Sequence, residues 1–204
     1  MKAVIICGGA ISDYGFIKTQ INADDTIICA DSGYDHAVKM CLVPDIIVGD
    51  FDSIKKAPGD VPCLRYPSHK DLTDTEIAIN YARDNNFTDF LLIAAIGSRM
   101  DHSLTNILLL KNFAERGETA VIINENNKIM ITVNKLFLCE PVGSVISLVP
   151  ITDCTGVTTE NLEYPLNEAV MYAGTGLGIS NIMLDDNASV SVRDGLMLVI
   201  VAKD

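Results

Sequence analysis

The chain has 204 residues, 49% of them hydrophobic, with 27 acidic against 15 basic side chains and a formal charge of −12. That balance excludes nucleic acid and anionic membrane surfaces as partners, since both need basic patches. It leaves a nucleotide open, because a cation can bridge acidic protein to phosphate.

No apolar run approaches the ~20 residues of a membrane span. No secretory leader is expected, since the first apolar run is short and broken by Gly8-Gly9. Six scattered cysteines without a Cys-x-x-Cys pair read as free thiols in a reducing cytoplasm, with Cys7, Cys29 and Cys63 packing as small hydrophobes.

In chain order, Lys2–Cys7 reads as a buried strand turned by Gly8-Gly9, and Ser12–Gln20 as a short helix. Thr26–Ala30 is a second strand running into Asp31-Ser32-Gly33. Ser32 with Asp35 predicts a helix cap, and that helix would turn Ala37, Val38 and Cys41 inward. Ile46–Val48 is a third strand and Val61–Tyr66 a fourth. Thr73 with Glu76 forms a capping-box pattern opening a helix to Asn85, with Ile77, Ala78, Tyr81 and Ala82 as its stripe. Asp89–Ile96 is a strongly apolar strand. Leu104, Ile107, Leu108 and Lys111 then follow at helical spacing towards Gly117, and Thr119–Ile123 is a further strand. Alternating strands and helices with near-continuous apolar strands predict a Rossmann-like parallel sheet with helices on both faces.

The pattern changes near residue 125. Beyond it lie short β-prone runs at Ile129–Val133, Leu136–Cys139, Val145–Val149, Gly156–Thr159, Glu168–Tyr172, Ile179–Leu184, Ala188–Val192 and Leu196–Val201. Turn residues separate them at near-regular intervals, which predicts a β-sandwich. The expected organisation is an α/β domain over residues 1–124 and an all-β domain over residues 125–204.

Chemistry concentrates where the third strand ends. Ile46-Ile47-Val48 runs into Gly49-Asp50-Phe51-Asp52-Ser53. Asp50 and Asp52 share a face of an extended segment, and two carboxylates that close repel unless a hard cation neutralises them. Mg²⁺ held by one or two carboxylates plus substrate phosphates is the common solution. A polar turn with an Asp cap is the plainer alternative.

Open α/β sheets bind ligands beyond the carboxyl ends of their strands. Gly8-Gly9, Asp31, Asp50 and Asp52, then Lys70, Asp71, Thr73 and Asp74, then Arg99, Asp101 and His102, all fall at such ends. Each has a plainer reading. Asp101 could be an N-cap, Asp74 a first-turn acid that suits the helix dipole, and Glu76 a capping partner; Asp31 could be a turn residue. His102 could be a structural donor, and Lys70 and Arg99 solvated charges. Gly174-Thr175-Gly176-Leu177-Gly178 reads as a turn. Asp-x-Asp after a strand also suits a metal-dependent phosphohydrolase, although there the pair follows the first strand. A non-catalytic nucleotide sensor is a third class.

Four segments in this order and spacing resemble the bacterial-type thiamine pyrophosphokinases (thiamine diphosphokinases) over nearly the whole length. They are Ala30-Asp31-Ser32-Gly33, Pro44-Asp45 with Gly49-Asp50-Phe51-Asp52-Ser53, Lys70-Asp71-Leu72-Thr73-Asp74, and Gly97-Ser98-Arg99-Met100-Asp101-His102. In the second half, Gly156-Val157 through Tyr164-Pro165-Leu166, then Gly178-Ile179-Ser180-Asn181, resembles the family's thiamine-binding domain. Ser98 and Ser32 stand where the family usually has glycine, and the chain has no tryptophan.

The resemblance implies a homodimer with active sites between domains of different subunits. It implies transfer of the pyrophosphoryl group of ATP to the hydroxyethyl oxygen of thiamine. On that reading Asp50, Asp52 and Asp101 hold Mg²⁺, and Asp71 or Asp74 orients or deprotonates the hydroxyl. Asp31, Ser53, Lys70, Thr73 and Arg99 bind ATP or its phosphates. Ser180 and Asn181 hydrogen-bond the aminopyrimidine, with Tyr164 or Leu166 as an apolar wall. A thiazolium cation suits an acidic protein.

Overall fold

A computed structural model describes residues 2–51, 54, 59–67 and 71–203. The chain divides into two compact units, Met1–Glu125 and Asn126–Asp204.

The first unit alternates strand and helix: β1 (Ala3–Ile6), α1 (Tyr14–Thr19), β2 (Thr26–Ala30), α2 (Gly33–Lys39), β3 (Ile46–Gly49), β4 (Cys63–Arg65), α3 (Asp74–Asp84), β5 (Asp89–Ile93), α4 (Met100–Arg116) and β6 (Thr119–Ile123). Its strands lie in the order β6-β5-β1-β2-β3-β4, and every pairing is parallel.

Strand residues alternate between the faces. Val4, Ile6, Cys29, Ile47, Leu91 and Ile93 pack with Ile17 of α1 and with Tyr34, Ala37 and Met40 of α2. The intervening residues face the other way, where Phe90 meets Phe113 of α4 at 4.8 Å between ring centroids. Both faces are therefore covered by helices, which is why the central strands read as continuous apolar runs.

Four local expectations change. Ser32 makes no side-chain cap bond; its own φ of −60° is already helical, which takes its hydroxyl out of capping position. Cys41 is exposed, in a left-handed turn after α2 (φ 55°), not turned inward. Cys63 is exposed rather than packed, because β4 is a three-residue edge strand with no buried residue. In α4 the inward residues are Ser103, Asn106, Leu110 and Phe113, while Leu104 and Leu108 face solvent. The inward stripe was hidden because its first two members are polar; their partners are loop carbonyls and amides, described below.

The second unit contains β7 (Asn127–Thr132), β8 (Lys135–Cys139), β9 (Val145–Pro150), β10 (Cys154–Glu160), β11 (Ala169–Met171), β12 (Gly178–Ile182), β13 (Asn187–Ser191) and β14 (Met197–Ala202). Strands β12-β9-β14-β7 form one antiparallel sheet and β11-β10-β13-β8 another. The inner faces meet closely: a Cβ on Gly178 of β12 would lie 2.8 Å from Met171 Cε of β11 and 2.7 Å from Leu148 Cβ of β9. Along β9 buried and half-buried residues alternate, the period-two signature of a sandwich strand. Among the described residues no helix is long and apolar enough to cross a membrane.

Candidate active site

A cleft of about 600 Å³ opens at the carboxyl ends of the parallel strands in the first unit. Its walls come from the turns after β1, β2 and β5, the first turn of α3 and the first turns of α4. Cys7 to Ala10, Ala30 to Ser32, Thr73 to Thr75, Ala94 and Ala95, Gly97 to Arg99, His102, Ser103 and Asn106 line it.

The backbone here is unusual. Asp31 (φ 45°) follows β2, Phe51 (φ 67°) follows β3 and Ala94 (φ 53°) follows β5. A non-glycine residue in the left-handed region costs on the order of 1–3 kcal/mol, and such residues gather where a site needs particular directions. Two glycines are required by close approach. A Cβ on Gly9 would stand 2.3 Å from Ala94 O, a backbone atom that cannot yield. Gly49 has φ +150°, and a Cβ there would lie 3.1 Å from both Asp74 Oδ1 and Asp31 Cβ. The carboxylate side chains of Asp31 and Asp74 thus close over the end of β3, where Asp50 follows in the chain.

The α3 wall is fixed by a completed capping box. Glu76 N–H donates to Thr73 Oγ1 (3.2 Å), and Thr73 N–H and hydroxyl donate to Glu76 Oε2 (2.9 and 2.8 Å). Glu76 is therefore the capping partner. Buried Thr75 donates to Cys7 Sγ at 3.5 Å, tying α3 to the end of β1. Burial pushes the Cys7 thiol up to about 11, so it stays protonated and packs as a hydrophobe.

The opposite wall is the Gly97–Arg99 turn, and Ser103 holds it. Ser103 Oγ accepts from Gly97 N–H (3.0 Å) and lies within donating distance of the carbonyls of Gly97 (3.1 Å) and Arg99 (3.0 Å). Asn106 donates to Ala95 O at 2.7 Å. Sequence reasoning missed both. The available signal was a pair of short polar residues three apart, one turn into a helix that follows a glycine loop.

The predicted site residues separate into groups. Asp31, Asp74, Thr73 and Arg99 line the cleft, as does His102. Asp50 is half-buried beside Gly49 but is not among the lining residues, and Asp71 is exposed outside it. Asp52, Ser53 and Lys70 lie outside the described residues. Asp101 is not the N-cap of α4; Arg99 holds that position. Asp101 instead receives two hydrogen bonds from Arg99, Nε at 3.2 Å and Nη2 at 2.5 Å, with its side chain 64% exposed. The bond from Arg99 holds the Asp101 carboxyl down at about 2, well below the ordinary range. Among the described residues no three His, Cys, Asp or Glu side chains are grouped to hold a metal ion.

In the second unit, Asn181 is buried and its amide is engaged. Its Oδ1 accepts from Tyr164 N–H (3.0 Å) and Ile182 N–H (2.9 Å), and its Nδ2 donates to Tyr164 O (2.8 Å). Ser180 is exposed in a left-handed conformation (φ 59°), with its N–H bonded to Ser147 Oγ. Tyr164 is exposed and Leu166 half-buried.

The first unit is thus an open parallel α/β sheet of the class that takes ligands at the carboxyl ends of its strands, followed in the chain by a β-sandwich unit. A family model described as the thiamin pyrophosphokinase catalytic domain matches residues 17–123, and one described as its vitamin B1 binding domain matches residues 123–197. The chain belongs to the thiamin pyrophosphokinase family, whose members are ATP-dependent diphosphotransferases.

Among curated proteins it is 27% identical over 214 residues to the thiamine pyrophosphokinase of Bacillus subtilis (strain 168), covering 100% of both chains. It is 24% identical to thiamine pyrophosphokinase 1 of Arabidopsis thaliana, covering 86% of this chain and 78% of that one. Among solved structures it is similar to thiamine pyrophosphokinase from Bacillus subtilis (TM-score 0.90, 23% identity, 100% of both chains). It is also similar to the enzyme from Geobacillus thermodenitrificans (TM-score 0.88, 24% identity, 100% of this chain and 98% of that one). At those identities the solved structures show the fold.

Proposed function

We propose that this chain transfers the pyrophosphoryl group of ATP to the hydroxyethyl oxygen of thiamine, giving thiamine diphosphate and AMP, in the cleft of the first unit with Mg²⁺ as cofactor. One observation carries the assignment to this cleft: the Asp31 side chain and the Asp74 carboxylate crowd Gly49, and both residues line the cleft with Arg99, within the segment matched by the catalytic-domain model.

The donor chemistry suits Mg²⁺. Asp74 Oδ1 and the Asp31 side chain flank Gly49 at the end of β3, and carboxylate oxygen is the donor this ion takes. Asp50 and Asp52 would hold the ion, and Asp101 would join them only when its bond to Arg99 opens. Bound Mg²⁺ supplies charge neutralisation for the polyphosphate oxygens.

The chain's own groups do the rest by position and electrostatics. Arg99, with Lys70 and Ser53, receives phosphate oxygens, and its guanidinium offers planar paired donors. Asp31 borders the nucleotide. Thr73 is occupied in its capping box, so it contributes by fixing the first turn of α3. Between the two candidates for orienting or deprotonating the thiamine hydroxyl, Asp74 is favoured over Asp71, because Asp74 lines the cleft.

Thiamine is taken by the second unit. Ser180 offers the polar contact, and Tyr164 and Leu166 the apolar wall. Asn181 acts by holding the Tyr164 backbone. The functional state is a homodimer whose sites lie between subunits. The exposed α4 stripe of Met100, Leu104 and Leu108, at 72%, 52% and 45%, supports an uncovered apolar face of that kind. Six free cysteines suit the reducing cytoplasm.

The test is incubation with Mg-ATP and thiamine followed by chromatography. AMP and thiamine diphosphate in equal amounts are expected. Phosphate released without thiamine would indicate a phosphohydrolase, and binding without turnover a sensor; either would overturn the proposal.

A further inference from the structure

A directed chain of hydrogen bonds ends on the cleft wall. The Gly9 carbonyl lies 2.8 Å from His36 Nε2. A carbonyl only accepts, so Nε2 carries the proton. His36 Nδ1 lies 2.8 Å from Tyr14 Oη. In a neutral ring that nitrogen is the acceptor, so the phenol donates to it. Lys39 Nζ, which only donates, lies 3.0 Å from Tyr14 Oη and fills a remaining lone pair. Every hydrogen therefore points one way: Lys39 to Tyr14, Tyr14 to His36, His36 to Gly9.

The chain adds a polar link among three pieces: the start of α1, the middle of α2 and the glycine turn after β1. That turn needs such a constraint. Gly8 and Gly9 carry no side chains to restrict them, and both line the cleft. Gly9 N–H is already bound to Ala94 O at 2.8 Å. The Gly9–Ala10 peptide, which carries that carbonyl, is tied at its other end by a longer bond, from Ala10 N–H to Ile96 O at 3.3 Å; turned into the cleft, the carbonyl would set a partial negative charge against an anionic ligand. His36 is not a lining residue, so its bond draws that oxygen away from the cleft.

We propose that His36, as the ε-protonated neutral tautomer aligned by Tyr14 and Lys39, is a positioning residue for the donor nucleotide: it fixes the Gly9–Ala10 peptide so that the cleft wall accepts polyphosphate. This rests on the ATP reading of the cleft given above.

The test compares His36→Ala, His36→Gln and Tyr14→Phe in the full-length protein, using KM for ATP, KM for thiamine, and equilibrium binding of ATP by calorimetry. Loss of one such bond is worth about a five- to tenfold change, so His36→Ala should weaken ATP by that factor and leave the thiamine KM within about twofold. His36→Gln, which keeps a donor near Nε2, should recover most of the loss, and Tyr14→Phe should fall between. A purely structural role would lower the folded fraction without separating the two KM values. Unchanged ATP affinity in folded His36→Ala would overturn the proposal.

If His36→Ala does not fold, ¹⁵N spectra of wild-type imidazoles decide. The ε tautomer at His36 is required, and a δ tautomer or imidazolium at neutral pH sinks the idea. If the wild type makes no AMP, the functional reading fails, while ATP binding and the tautomer still judge His36.

Discussion

The first turns of α3 and α4 both line the cleft, and they are finished in opposite ways. In α3 the orphan amides are answered internally: Thr73 and Glu76 close a reciprocal box, and Thr75 is pinned to Cys7. In α4 no side chain caps the helix, and the N-cap residue Arg99 reaches out to an exposed partner, Asp101. What holds the α4 end is beneath it, in Ser103 and Asn106 gripping the preceding loop. One wall is therefore self-satisfied, and the other keeps a guanidinium and a carboxylate that can exchange partners without unravelling a helix. Such a division suits the proposed reaction, run by positioning, with Asp74 on the fixed wall and Arg99 on the adjustable one.

The contrast can be broken at several depths. The largest effect is expected beneath the rim, at Phe113→Ala. It removes the ring that packs on Phe90 and carries Arg83 over its face at 4.7 Å. A loss of about 3–5 kcal/mol in urea unfolding is expected. A cost below about 1 kcal/mol would mean that α4 is anchored elsewhere.

Ser103→Ala should come next, at about 1–3 kcal/mol, because it removes a buried hydroxyl and the partner of the half-buried Gly97 amide. Faster amide exchange should be confined to the 97–99 turn. Thr73→Ala should cost about 1 kcal/mol, the ordinary worth of a cap, and should leave that turn unaffected. If both variants perturb both walls equally, the distinction between them is wrong.

The smallest effect is electrostatic. Asp101 should titrate near 2 because Arg99 donates to it, and Arg99→Ala should return it towards the ordinary carboxylate range near 4. The folded value lies below the unfolded one. The pair's small stabilising effect is therefore present above about pH 4 and is lost as pH falls towards 2. Carbon-detected NMR of the carboxyl carbons would read the midpoint directly, and an unshifted Asp101 in the wild type would remove the pair.

How much of this was legible in the sequence follows the range of each interaction. Strands such as Thr26–Ala30 and Thr119–Ile123 were readable because their apolar runs are set by burial on both faces. The Thr73–Glu76 box and the Gly117 terminus were readable because caps are written within four residues; Gly117 does take the left-handed conformation, at φ 69°. Ser32 with Asp35 carried the same letters without the same geometry, because Ser32 continues the helical turn itself. Arg99 and Asp101 were found as residues, but not their bond, which depends on how the helix start aims two long side chains.

Asn181 shows the limit most clearly. Its short polar side chain suggested ligand contact, and nothing local announced the partner it has, the backbone of Tyr164, seventeen residues earlier. The relay through Tyr14 and His36 spans twenty-two residues and two helices, and no local pattern announces it.

The most direct measurement is the nucleotide product formed with Mg-ATP and thiamine by the wild type and by Asp74→Asn. AMP matched one to one by thiamine diphosphate is expected, with a fall in turnover of about 10²-fold or more in the variant and its fold intact. ADP as the product, AMP without thiamine, or full turnover in Asp74→Asn would contradict it.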